Sequence, residues 1–201
     1  GHGITHSERT DGPMRAGPHG MFGLQTWLAL PKAHEDDPAA FRHAGAEALP
    51  ELEGEGKTVR LILGTAWGAR VDIPTPSEVF YADATLAPRA AIPLPDEHED
   101  RGVYVLSGSV TVAGQTFPAG QMLVFRPGDR VSLKAGEEGA RIMLLGGATM
   151  DGPRHIWWNF VASSKERIDA AKEAWRAGDW AHGRFRLPPG DDAEFIPAPE
   201  R

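Results

Sequence analysis

The stretch "RGVYVLSGSVTVAGQTFPAGQMLVFRPGD", Arg101 to Asp129, restricts the fold more than any other part of the chain. Val103–Val112 holds two apolar runs around Ser107-Gly108, where the glycine permits a bend or bulge. Ala113-Gly114 is a short turn, Gln121–Phe125 a strand, and Arg126–Asp129 a proline-glycine turn. Further strands are expected at Met21–Leu30 (ended by Pro31), Thr58–Leu63, Val79–Leu86, Val131–Lys134 and Ala140–Leu145. Regularly spaced short strands with tight turns predict an all-β sandwich or barrel.

The frequent glycines (24) and prolines (17) agree with tight turns, and a 41% hydrophobic share argues against disorder. Two hundred and one residues suffice for a real core in one large or two small domains. The net charge is −7. An acidic chain without a basic cluster is a poor nucleic-acid binder, so no direct nucleic-acid partner is expected. There is no apolar run of membrane-spanning length and no signal peptide, so no membrane partner is expected either. The absence of cysteine excludes disulfides, thiolate-bound zinc and a cysteine nucleophile, and fits a cytoplasmic protein.

One helix is clear. Ser163 and Glu166 form an S-x-x-E capping box, Ile168, Ala171 and Trp175 share a face, and Gly178 is a stop. A short helix or turn is expected around Pro38–His43, with Asp37 as its N-cap. The tail "RLPPGDDAEFIPAPER" should lie extended over the surface or be mobile. Residues 50–147 are expected to form a barrel, and 148–201 a strand, a helix and an extended tail.

Chemistry concentrates in "GITHSERT", Gly3 to Thr10. On a strand, residues two apart share a face, so His6 and Glu8 would project together as a pair of metal donors. A site needs more than two donors, and the spacing alone leaves open whether this is half a site or polar residues near a terminus. Ser7 beside His6 makes no triad, because strand neighbours point to opposite faces. Elsewhere the plain readings prevail. Trp157, Trp158 and Phe160 form a buried cluster, Trp27 and Trp67 belong to a core, and Asp96–Asp100 is a solvated acidic loop carrying an ordinary loop histidine, His98.

The Arg101–Asp129 stretch resembles the cupin barrel, a small antiparallel jelly roll. Metal-binding cupins carry two histidines and a glutamate before the "VLSG" strand, and a histidine after the proline-glycine turn. Here Pro95, Glu97, Arg101 and Val131 stand at about those places, so the resemblance implies a barrel that is structural or binds without a metal. Gly-Ile-x-His-Ser-Glu, "GLQTWLALP", "DPAAFRH", "LILGTAWG", "YVLSGSVTV", "HIWWNFVASSKERI" and "PPGDDAEFIPAP" together resemble the pirin family, two cupin barrels in tandem. Pirins carry several dozen residues before the Gly-Ile-x-His-Ser-Glu motif, including a His-Pro-His-Arg-Gly segment that supplies two more ligands. This chain contains no such segment, so the resemblance implies that 1–49 is a remnant of the first barrel plus linker, and the pair's partners are expected upstream of Gly1.

The resemblance implies that His6 and Glu8 are metal ligands of an Fe(II) site of three imidazoles and one carboxylate, which copper, nickel, manganese or zinc could also fill. It implies a dioxygenase acting on a flavonol such as quercetin, with Glu8 as candidate catalytic base, and a small aromatic or flavonol substrate as partner. The alternative it implies is an iron-binding transcriptional co-regulator or redox-sensing interaction protein with a protein partner and no turnover. In this chain alone, the pair is expected to be empty or weakly occupied.

Overall fold

The computed structural model describes residues 2–10 and 12–200. It divides into two compact units, one of Gly1–Phe41 with Met150–Arg201 and one of Arg42–Thr149. Among the described residues no helix is long and apolar enough to cross a membrane.

The Arg42–Thr149 unit is an antiparallel β-structure of β1 (Glu51–Gly54), β2 (Lys57–Ala66), β3 (Ala69–Arg70), β4 (Val79–Leu86), β5 (Ala91–Pro93), β6 (Asp100–Val112), β7 (Gln115–Pro118), β8 (Met122–Phe125) and β9 (Ser132–Gly147). The sheet order is β1-β2-β4-β9-β6-β7, with β3 on β2, β5 on β9 and β8 on β6. The two expected strands Val131–Lys134 and Ala140–Leu145 are one long strand, β9. It is continuous because its first part pairs with β5 through Leu133 while its second pairs with β4 from Ala140 to Gly147. The polar residues between them interrupt the apolar pattern without interrupting the backbone.

β6 holds to β9 along most of its length, with register shifts between Val105 and Ser107 and between Gly108 and Val110. The expected glycine bend lies at these shifts. Gly108 has φ +69°, and a Cβ there would lie 2.1 Å from the Gly139 carbonyl oxygen. Only a residue without a side chain lets the two strands meet at this crossing. Ala113 and Gly114 both have positive φ and form the turn into β7, as the two-residue hairpin rule requires.

Period-two alternation turns Leu61, Ala82, Ala84, Val103, Val105, Ile142 and Leu144 inward, and each of these is fully buried. Burying each Val, Leu or Ile contributes about 1.5–3 kcal/mol. They form one continuous core with Phe80, Ile92 and Leu133.

The other unit contains a short helix α1 (Gly12–Arg15), the hairpin β10 (His155–Trp157) and β11 (Phe160–Ala162), and helix α2 (Lys165–Ala177). Ile168 and Ala171 of α2 are buried with Phe160, Ala162 and Phe185, and Trp157, Trp158, Trp175 and Trp180 pack around them. The aromatic run is therefore core, as expected. Trp175 meets Trp158, Phe160, Trp180 and Phe185 at ring-centroid distances of 5.0–6.2 Å, mostly edge to face. Gly178 ends α2 in the left-handed conformation.

Four local expectations are corrected. The cap of α2 is Ser164, whose Oγ accepts from Arg167 N, and not Ser163. Ser163 is already engaged, donating from N and Oγ to the two Glu35 carboxylate oxygens at 2.7 and 2.6 Å. No helix forms at Pro38–His43. A 3-10 turn occupies Lys32–His34 instead, and the Asp37 carboxylate pairs with His34 Nδ1 at 2.8 Å rather than capping forward. Met21–Leu30 forms no strand. Alternation supplies a face, but a strand also needs a neighbouring ladder, and none runs beside this segment among the described residues. For the same reason Trp27 is not in a core but 49% exposed, and Met21 is 88% exposed.

Candidate functional site

Residues 2–10 belong to no strand, which corrects the expected strand at His6 and Glu8. Even so, the odd-numbered residues meet the chain's C-terminal tail. A Cβ on Gly3, whose φ is +93°, would lie 3.1 Å from the Phe185 ring. Thr5 Oγ1 donates to the Arg186 carbonyl, and Ser7 shares a surface cleft with Asp191. Arg9 grips Asp191 through Nε and Nη2, both at 2.7 Å, and reaches Glu194 through Nη1 at 2.7 Å. The two hydrogen-bonded acids raise the Arg9 guanidinium further above its ordinary range. The hydrogen bond from Arg9, then that from Ser7, holds the Asp191 carboxyl below the usual carboxylate value.

The even-numbered Ile4, His6 and Glu8 are exposed. Glu8 Oε1 accepts a hydrogen bond from Gln25 Nε2 at 3.4 Å. His2 anchors the start of the segment through its backbone, donating to the Asp37 carbonyl at 2.7 Å.

The donor set present does not fit a complete metal centre. His6 and Glu8 are two donors facing solvent, and no group of three His, Cys, Asp or Glu side chains converges among the described residues. Iron in a nitrogen-and-oxygen environment requires more ligands than this.

The β1–β9 barrel carries a cation of its own. Arg101, at the place where metal-binding cupins have a glutamate, is 2% exposed. Its Nη1 donates to the carbonyls of Asp129 at 2.7 Å and Pro95 at 3.3 Å, and its Nη2 to that of Arg126 at 2.7 Å. A fixed guanidinium surrounded by carbonyl oxygens supplies positive charge and no metal donor. Sequence reading flagged the substitution but not the guanidinium's role in tying the β5–β6 loop to the β8–β9 loop.

His98 is corrected from a solvated loop histidine to a buried one, 7% exposed, although its neighbours Asp96, Glu97, Glu99 and Asp100 remain exposed as expected. Its Nε2 lies 2.8 Å from the Thr65 carbonyl, and its ring stacks on Phe80 with centroids 4.8 Å apart. One polar contact and one aromatic face offset part of the burial, and Nδ1 is buried without a hydrogen-bond partner. Trp67 packs edge-on to Phe80, with its indole N–H donating to Pro93 O at 3.0 Å. It lies at the border of the core, as expected.

Comparisons with known proteins agree with this architecture. Residues 81–181 match the family described as Pirin C-terminal cupin domain. A pirin-like protein from Caulobacter vibrioides is 45% identical over 201 residues, covering 100% of this chain and 67% of its own length. A Pseudomonas aeruginosa protein named as a putative quercetin 2,3-dioxygenase is 32% identical, and the match covers 99% of this chain and 62% of that protein. Among solved structures, quercetin 2,3-dioxygenase from Acinetobacter baumannii superposes with a TM-score of 0.73 at 25% identity, over 86% of this chain and 56% of that one. The chain thus spans roughly two thirds of the length of these curated relatives. With a cupin-type barrel, a C-terminal helix and this identity along its whole length, the chain belongs to the pirin family.

Proposed function

We propose that this chain is part of a metal-dependent pirin-type dioxygenase that acts on a flavonol such as quercetin, with His6 and Glu8 as two of the metal ligands and Glu8 as proton acceptor. The reading is supported by the relatives named for quercetin dioxygenase chemistry. One observation in this chain carries it. His6 and Glu8 lie on the side of their segment left open when the odd-numbered residues are tied to the tail. A complete centre needs donors beyond these two, so the activity belongs to the complete family length. In the complete length His6 and Glu8 would hold two positions on iron(II), which would supply redox and Lewis-acid chemistry. The Arg42–Thr149 barrel, with Arg101 fixed among loop carbonyls, serves as a metal-free structural module in this reading.

The test uses a form carrying the complete family length. Replacing His6 by Ala or Glu8 by Gln is expected to lower iron affinity and quercetin-dependent oxygen uptake by more than about a hundredfold, beyond the loss typical of a supporting residue. Unchanged iron content and uptake in both variants remove the assignment. Bound iron without uptake in the unsubstituted protein favours the iron-binding regulator over the enzyme.

A further inference from the structure

We propose that the C-terminal segment 185–194 is a positioning strap for the His6–Glu8 pair, with Arg9, Asp191 and Glu194 as its positioning residues. The inference rests on the reading of His6 and Glu8 as donors, but its geometry stands apart from any metal. Residues 2–10 have no strand ladder to fix them. The tail meets their side chains instead, at four successive odd-numbered positions: Gly3 against Phe185, Thr5 Oγ1 on the Arg186 carbonyl, Ser7 in one cleft with Asp191, and the Arg9 guanidinium on Asp191 and Glu194.

Contacts at every second residue of an extended chain commit the alternate residues to the opposite side. The strap therefore decides which way His6 and Glu8 face, a role a neighbouring strand would otherwise take. Gln25 adds a contact to Glu8 on that open side. An unrestrained extended segment would have to be ordered on binding, at an entropic cost that the strap removes in advance.

The bidentate Arg9–Asp191 geometry fixes direction as well as distance. The Arg9 and Glu194 side chains are exposed, so the strap is sensitive to salt. Arg15 lines the same cleft and donates through Nε to the Thr10 carbonyl at 2.6 Å, while Asp36 is engaged with Arg167 and Glu35 with Ser163.

Backbone 15N order parameters of residues 3–9, measured on this chain without metal, test the strap. Arg9→Met, and Asp191→Asn combined with Glu194→Gln, should each lower them toward the flexible range below about 0.6, with β6 and β9 unchanged. Arg9→Lys, which keeps the charge, should recover part of the order. Arg89→Met, which breaks the exposed Arg89–Glu137 pair, should leave residues 3–9 as they were. Unchanged order parameters in both strap variants overturn the strap.

Titration with Mn(II), followed by paramagnetic broadening of the His6 ring protons, tests positioning. Broadening that requires several-fold more Mn(II) in the strap variants supports it. The same Mn(II) dependence in all forms overturns it. No broadening in any form overturns the positioning role in this chain, while the strap itself stands or falls on the order parameters alone and the donor reading on the complete-length variants.

Discussion

Arg101 illustrates how much one buried side chain can decide. Its guanidinium satisfies the carbonyls of Pro95, Arg126 and Asp129, from two loops that leave the barrel at different points in the chain. Removing it leaves those acceptors without their donor in a buried place. Arg101→Met should therefore destabilise the Arg42–Thr149 unit by about 3 kcal/mol, within the range for breaking a buried charged network. Arg101→Lys should recover less than half, because an ammonium cannot match a fork-shaped donor set. Denaturant midpoints measure both, and a change in Arg101→Met within about 0.5 kcal/mol, the range of neutral surface substitutions, would count against this account. The departure from the cupin pattern at Arg101 was legible in the sequence. Which carbonyls receive it was not, because they lie 6, 25 and 28 residues away and are backbone atoms that carry no signature. His98 taught the reverse lesson. Its acidic neighbours pointed to solvent, yet a carbonyl 33 residues upstream and the Phe80 ring draw it inward.

At the scale of elements, period and punctuation served well where a partner strand exists. Val79–Leu86 is β4 to the residue, and the Gly108 bend and the Ala113-Gly114 turn fall where their residue types place them. The α2 cap shows where such signals become ambiguous. Ser163 and Ser164 are both competent caps, and the S-x-x-E spacing selects the first. Glu35, 128 residues upstream, takes Ser163 and leaves Ser164 to cap. Ser164→Ala should accordingly cost about 1 kcal/mol through the lost cap. The effect should appear as a lower unfolding midpoint with helix content otherwise retained. If Ser164→Ala leaves the midpoint unchanged, Ser164 is not the operative cap. Met21–Leu30 marks the limit of periodicity. Its alternation is that of a strand, but strand formation is a property of pairs, and no ladder meets it among the described residues.

Across the whole molecule, charge binds the unit formed by the two chain ends. Burial works to raise the Glu35 carboxyl, but the hydrogen bonds from Ser163 Oγ and N, with the Arg167 and Arg154 charges, outweigh it and hold the group below its ordinary value. A carboxyl depressed in the folded state contributes stability that is present above its unfolded pKa and is lost as pH falls through the lowered value. Glu35→Gln should therefore lower stability by about 1 kcal/mol at neutral pH, and the two proteins should converge on acidification below the usual glutamate range. Tryptophan fluorescence reads this selectively, since five of the six tryptophans, all but Trp67, lie in that unit. A difference that persists undiminished at low pH would rule out the ionised carboxylate as its source. By itself the sequence determined the all-β class, the strands at Val79–Leu86 and around Gly108, the helix, its stop at Gly178 and the family. These are written in short-range patterns of apolarity, glycine and motif order. Only the tertiary structure decided that residues 2–10 are held by the tail rather than by a ladder, and that Arg9 meets Asp191 across 182 residues. It also decided that an arginine ties two loops of the barrel together and that one continuous strand replaces two predicted ones. Each of those outcomes depends on which distant groups become neighbours, and a local pattern carries no record of that.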